Sequence, residues 1–199
     1  MRIEIRADCV RIDGYVNAVE RDSKVLQDRE GKFIEKIKAG AFKRALDRAG
    51  RTGYDVKVLL NHDYGKKLTS TGAGAYIRED NIGLRCTCEI RDETVMKKAR
   101  EGKLSGWSFG FISLKTKKET RDGVQYREIQ DLDLKEVSIL DDTRTPAYNG
   151  TSIETRSDDL IEVRDTEGVE IVDLTQKKET NYKYHNRIKA LRASAQPLF

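Results

Sequence analysis

Histidine is almost absent from this chain: His62 and His185 are the two it has. Any chemistry that needs an imidazole base must use one of them. Proline is as rare, and of Pro146 and Pro197 only the first stands where it would stop a strand. The cysteines are three, Cys9, Cys86 and Cys88. An odd number in a chain this long is a poor disulfide framework. Cys86 and Cys88 alternate onto one side of a strand, and with so few histidines beside them packed thiols are expected rather than a zinc site. No apolar run approaches the roughly 20 residues that cross a bilayer. The opening Met1-Arg2-Ile3-Glu4-Ile5-Arg6 alternates charged and apolar residues, unlike a signal peptide. A cytosolic protein is expected. Nor is there a surplus of one charge: 38 basic against 34 acidic side chains leave +4. A surface so nearly balanced lacks the concentrated basic field of a dedicated nucleic-acid binder.

What is present is alternation. The 199 residues are 37% hydrophobic, enough for one domain with an appendage or for a single large β domain. Ile3, Ile5, Ala7 and Cys9 share one face, and Val10-Arg11-Ile12 leads into a second extended piece through Gly14-Tyr15-Val16. The charged run from Glu20 to Lys32 reads as a loop. Residues 37 to 49 have helical spacing, with Gly50 as the stop. Val56 to Leu60 is a short apolar strand, and Ile82 to Ile90 alternates. Glu93 to Arg100 is a short helix closed by Gly102, and Leu104 to Leu114 reads as a strand. Arg121-Asp122-Gly123 signals a tight hairpin turn. After it, residues 124 to 129 and 132 to 140 read as two strands that pair. Six to eight strands with two inserted helices predict an α+β fold that is mainly β, a mostly antiparallel barrel or sandwich.

Beyond Asn149-Gly150 the character changes. Residues 151 to 199 hold 8 basic and 9 acidic side chains, net −1, so residues 1 to 150 carry +5 and the whole chain +4. Val169 to Leu174 could form a strand, but no sustained periodicity follows. The segment 151–199 is expected to be a charged, loosely ordered tail behind a domain spanning 1–150.

Gly106-Trp107-Ser108-Phe109-Gly110 matches G-x-S-x-G, the nucleophile elbow of α/β-hydrolases. That elbow needs a strand–turn–helix context and a histidine downstream. Here Phe109 to Leu114 continues as a strand, and the downstream His185 sits in the tail, so the esterase reading with its parallel sheet fails on context. A serine still needs a base near neutrality. His62 follows the buried-looking strand Val56–Leu60, between Asn61 and Asp63, where a rigid element would present it; a surface histidine capping a turn is the plainer alternative. A third group must orient the imidazole. Glu136 sits, by alternation, on a face with Leu132, Leu134 and Ser138, an unusual place for an acid. Asp63 and Asp133 are its rivals.

Five blocks in order carry a resemblance: Phe33 through Phe42, Leu60-Asn61-His62-Asp63, Gly106 through Phe111, Leu134-Lys135-Glu136-Val137-Ser138, and Thr145-Pro146-Ala147. Together they resemble the prohead proteases of HK97-type tailed phages over about residues 10 to 150. The resemblance implies a fold similar to the herpesvirus assemblins, an antiparallel β-barrel surrounded by a few helices. It implies serine endopeptidase chemistry with His62, Ser108 and Glu136 as base, nucleophile and orienting acid, no cofactor or metal, and an oxyanion contribution near Arg144. Its implied partners are the major capsid protein with its scaffolding segment and the protease itself, as a homodimer that also cleaves itself, inside the assembling prohead in the host cytoplasm. No membrane or specific nucleic acid is implied. The rival from another class is a non-catalytic assembly or scaffolding module that keeps the same fold.

Overall fold

Alternating burial turns most of this chain into strands. A computed structural model describes residues 1–28, 30–143 and 162–175, with only the backbone described for Glu162, Val163 and residues 165–167. In chain order the elements are β1 (Arg2–Ile5), β2 (Val10–Ala18), β3 (Leu26–Asp28), β4 (Gly31–Ile37), α1 (Ala41–Thr52), β5 (Lys57–Leu60) and β6 (Asp63–Ser70). There follow β7 (Tyr76–Glu79), β8 (Gly83–Ile90), α2 (Glu93–Arg100), β9 (Leu104–Arg121), β10 (Val124–Asp141), β11 (Glu162–Glu167) and β12 (Glu170–Asp173).

Two sheets result. One runs β12-β1-β2-β8-β7; the other runs β11-β9-β10-β4-β3, with β5 paired to β10 and β6 to β5. The class is therefore α+β, mostly strand with two helices. The closed barrel is corrected: among the described residues both sheets are open orders. They are also mixed, since β10 runs parallel to both β4 and β5, and β1 parallel to β12. Helix α1 lies between β4 and β5 in the chain, and the two strands pair with successive stretches of β10, β4 with residues 125–129 and β5 with residues 136–139.

The central pair is the long hairpin β9–β10, closed by Asp122 and Gly123, whose φ values of 50° and 77° are those of the tight turn read from the sequence. The two strands expected after this turn are one continuous strand, β10, and its partner is β9. Residues 20 to 32, expected as a loop, contain β3. The helix expected from residue 37 begins at Ala41, because Phe33, Glu35 and Ile37 are buried on alternate positions of β4. Phe42 of α1 meets Phe109 edge-to-face at 5.4 Å, and Phe109 stacks on Phe111 at 5.4 Å. These rings, with Trp107, Val137 and Ile139, form the core beside the central hairpin. Cys9, Cys86 and Cys88 are buried thiols, and Cys86 is pushed well up by its hydrogen bond with Cys88 and by burial.

Within the segment expected to be a loosely ordered tail, β11 and β12 each join a sheet. β12 lies where a strand was read from Val169 to Leu174. The segment's residues 151–161 and 176–199, His185 among them, lie outside the described residues.

Candidate active site

The register of the central hairpin sorts its side chains. Directly opposed residues of an antiparallel pair point to the same face. Phe111 opposes Leu134, Phe109 opposes Val137 and Trp107 opposes Ile139, and all six are buried in the core. On the other face Gly110 opposes Glu136, Ser108 opposes Ser138 and Gly106 opposes Leu140. This differs from the sequence alternation that put Glu136 on a face with Leu132 and Leu134. The cause is a register shift between Leu134 and Glu136: Lys135 is an extra residue, a bulge of the sort that re-aims a side chain. Leu134 stays in the core while Glu136 turns to the face of Ser108. On β9 the residues flanking the serine on that face, Gly106 and Gly110, carry no side chain.

His62 reaches this face from a hairpin. Leu60 pairs with Asp63, leaving Asn61 and His62 as a two-residue loop with φ values of 55° and 60°. Such a turn demands positive φ at both central residues and favours Asn-Gly. A histidine at the second position holds strain of about 1 kcal/mol, kept in place by its surroundings. Those surroundings are specific. Asn61 N–H donates to Ile139 O at 2.9 Å, and Asn61 Oδ1 accepts from Asp141 N–H at 3.1 Å. His62 N–H donates to Ser138 Oγ at 3.1 Å.

His62 Nδ1 and Glu136 Oε1 are 2.7 Å apart, and Ser138 Oγ donates to Glu136 Oε2 at 2.6 Å. His62 is 6% exposed and Glu136 1%. One serine hydroxyl thus holds both the carboxylate and the backbone of the histidine. A carboxylate on Nδ1 keeps the proton there and leaves Nε2 as the basic nitrogen. Ser108 lies on the adjacent strand opposite Ser138, fully buried. Its hydroxyl makes no hydrogen bond among the described residues, so no Ser108–His62 hydrogen bond is closed.

The rival acids are engaged elsewhere. Asp133 accepts from Arg48 Nε at 3.0 Å, and Asp63 accepts the N–H of Gly65 at 2.8 Å within its own turn. Arg144 lies outside the described residues. Beside the site, Asp141 is 2% exposed. Burial works to raise its pKa, but hydrogen bonds from Thr143, Asn61 and Lys98 outweigh it and bring it down to about 2. Sequence reasoning missed the roles of Ser138 and Asn61; their visible signals were the face Ser138 shares with Glu136 and the adjacency of Asn61 to His62.

Ser108 thus shares a face of the central hairpin with a carboxylate that is paired to an imidazole. The family model of the Caudovirus prohead serine protease matches residues 1–166, and the chain belongs to that family of serine peptidases. The match runs past residue 150 and takes in most of β11. No curated protein sequence and no solved structure matches the chain. No helix among the described residues is long and apolar enough to cross a membrane.

Proposed function

We propose that the chain matures phage proheads by acyl transfer from Ser108, cleaving the scaffolding part of the major capsid protein and itself. His62 Nε2 takes the Ser108 proton as the hydroxyl attacks a peptide carbonyl and later gives it to the leaving amine. Glu136 holds the imidazole in the tautomer with Nδ1 protonated and stabilises its cation. Water then attacks the acyl-enzyme by the same proton path in reverse. By family resemblance Arg144 contributes to the oxyanion site, where a single donor is worth several kcal/mol.

The observation that carries this reading is the buried 2.7 Å contact of His62 with Glu136 on the face that Ser108 shares. The open Ser108–His62 pair fits an enzyme before substrate engagement, since catalytic hydrogen bonds tighten in the Michaelis complex. The homodimer, the prohead interior as the site of action and loss of the C-terminal segment by self-cleavage belong to the same reading.

Co-expression with the capsid protein tests it. Ser108→Ala is expected to abolish processing of both chains, read by mass spectrometry. Unchanged processing would leave only the assembly-module reading.

A further inference from the structure

A strand from the C-terminal segment lies against the strand that bears the serine. β11 pairs antiparallel with β9 from Gly106 to Phe111, with Asp165 at the register position opposite Ser108 and Arg164 opposite Phe109. The sheet order begins β11-β9-β10, so β11 covers what would otherwise be the edge of the sheet beside Ser108. An uncovered edge presents a row of N–H and C=O groups to extended peptides. In such complexes the main chain supplies affinity and alternate side chains supply specificity.

Hydrophobic burial does not explain why β11 sits there. Glu162-Val163-Arg164-Asp165-Thr166-Glu167 has one apolar residue. What anchors it is Arg164. Its Nε and Nη2 donate to the two carboxylate oxygens of Glu35 at 2.7 and 2.6 Å, and the guanidinium lies 5.3 Å from the centre of the Phe111 ring. Both partners are buried, at 5% and 4% exposure. Glu35 belongs to β4, three places from β11 in the sheet order, on the buried side with Phe33 and Ile37. The triad makes no use of this carboxylate. A buried ion pair seldom adds stability over an apolar pair of similar volume, so the pair points to recognition.

We propose that the β9 edge is the peptide-binding edge of the enzyme, that Glu35 is its arginine subsite, and that β11 is a tethered occupant which substrate must displace. This rests on the peptidase reading of Ser108 and names its substrate class: extended segments with arginine one step before the residue opposite Ser108. The two-oxygen fork selects the planar guanidinium over the lysine ammonium. Tethering gives β11 a high effective concentration, so the intact chain is latent and losing its C-terminal segment vacates the edge.

Binding in the full-length chain tests this, with Ser108→Ala throughout so that no peptide is cut. The probe is a fluorescent peptide copying residues 161–168, with copies that carry alanine, lysine or glutamate in place of arginine. Adding Arg164→Ala is expected to tighten binding of the arginine peptide by roughly tenfold or more and to let that peptide raise the melting temperature. The alanine copy does neither, and the lysine copy binds more weakly. Because Arg164→Ala takes the guanidinium from a buried carboxylate, Glu35→Arg with Arg164→Glu is measured beside it. That swap restores the pair and is expected to favour the glutamate copy. Equal binding of the arginine and alanine peptides, no gain from Arg164→Ala, or an arginine preference kept by the swap overturns the proposal. So does failure of both variants to fold in the presence of the matching peptide. Binding is read without catalysis, so unchanged processing by Ser108→Ala would sink the peptidase reading and leave the edge site standing.

Discussion

Ser138→Ala removes one oxygen and two hydrogen bonds. Ser138 Oγ donates to Glu136 Oε2 at 2.6 Å and accepts His62 N–H at 3.1 Å, all of it buried. A hydrogen bond to a charged group contributes about 1.5–3 kcal/mol, and a buried donor deprived of its acceptor costs about 1–3 kcal/mol. The two share one atom and do not add in full, so the expected loss is about 3 kcal/mol. At about 2–4 °C per kcal/mol for a chain of this size, the melting temperature falls by about 6–12 °C. The activity loss has a separate origin. With one oxygen released, the Glu136 carboxylate can rotate away from Nδ1, and the left-handed turn at His62 loses a restraint. A misplacement of about 1 Å costs about 10²-fold in rate. Thermal unfolding is measured in a Ser108→Ala background, and cleavage of co-expressed capsid protein is followed over time in the active one. Ser138→Thr keeps the hydroxyl and is expected to recover most of both. Wild-type cleavage by Ser138→Ala, with melting unchanged within error, would refute the positioning role.

The bulge makes an unusual deletion tolerable. Removing Lys135 leaves Leu134 opposite Phe111 and Glu136 opposite Gly110, so the chain is expected to fold and process, losing about 1 kcal/mol with the Tyr54 hydroxyl bond to Lys135 O. Removing Val137, a regular ladder position, reverses faces along the strand and abolishes folding; equal damage from both deletions would contradict the register. Acid lability is the other outcome. Asp141 has a pKa of about 2 against an ordinary 3.8, so the folded state holds the ionised form and gains about 2 kcal/mol above pH 4. That gain disappears as pH falls from about 4 to 2, and Asp141→Asn is expected to flatten the stability profile there. A profile identical in wild type and variant would count against it.

Local chemistry was legible where it repeats along the chain. α2 has the bounds read from its sequence, with Asp92 capping it through Val95 N–H. The Asp122-Gly123 turn declared itself because positive φ narrows the residues that fit. In contrast, Leu132, Leu134 and Glu136 alternate perfectly and mislead, because a bulge is a property of two strands and shows only in the register against β9. β3 and β11 were hidden for a related reason. Each is short with a single apolar residue, and each pairs through the backbone, whose donors and acceptors are the same for every residue but proline.

By itself the sequence determined which side chains were candidates: two histidines, one serine in a glycine frame, and an acid in an apolar strand. It could narrow the acid to Glu136, Asp133 or Asp63 and go no further. Tertiary structure alone put Glu136 and not its rivals on His62, through the extra residue at 135 and the strained turn at 61–62. It also laid β11 along Ser108, by an arginine reaching a glutamate 129 positions away. Periodicity is written in neighbours, whereas the partners of a buried charge are chosen by whatever the folded sheet brings within 3 Å.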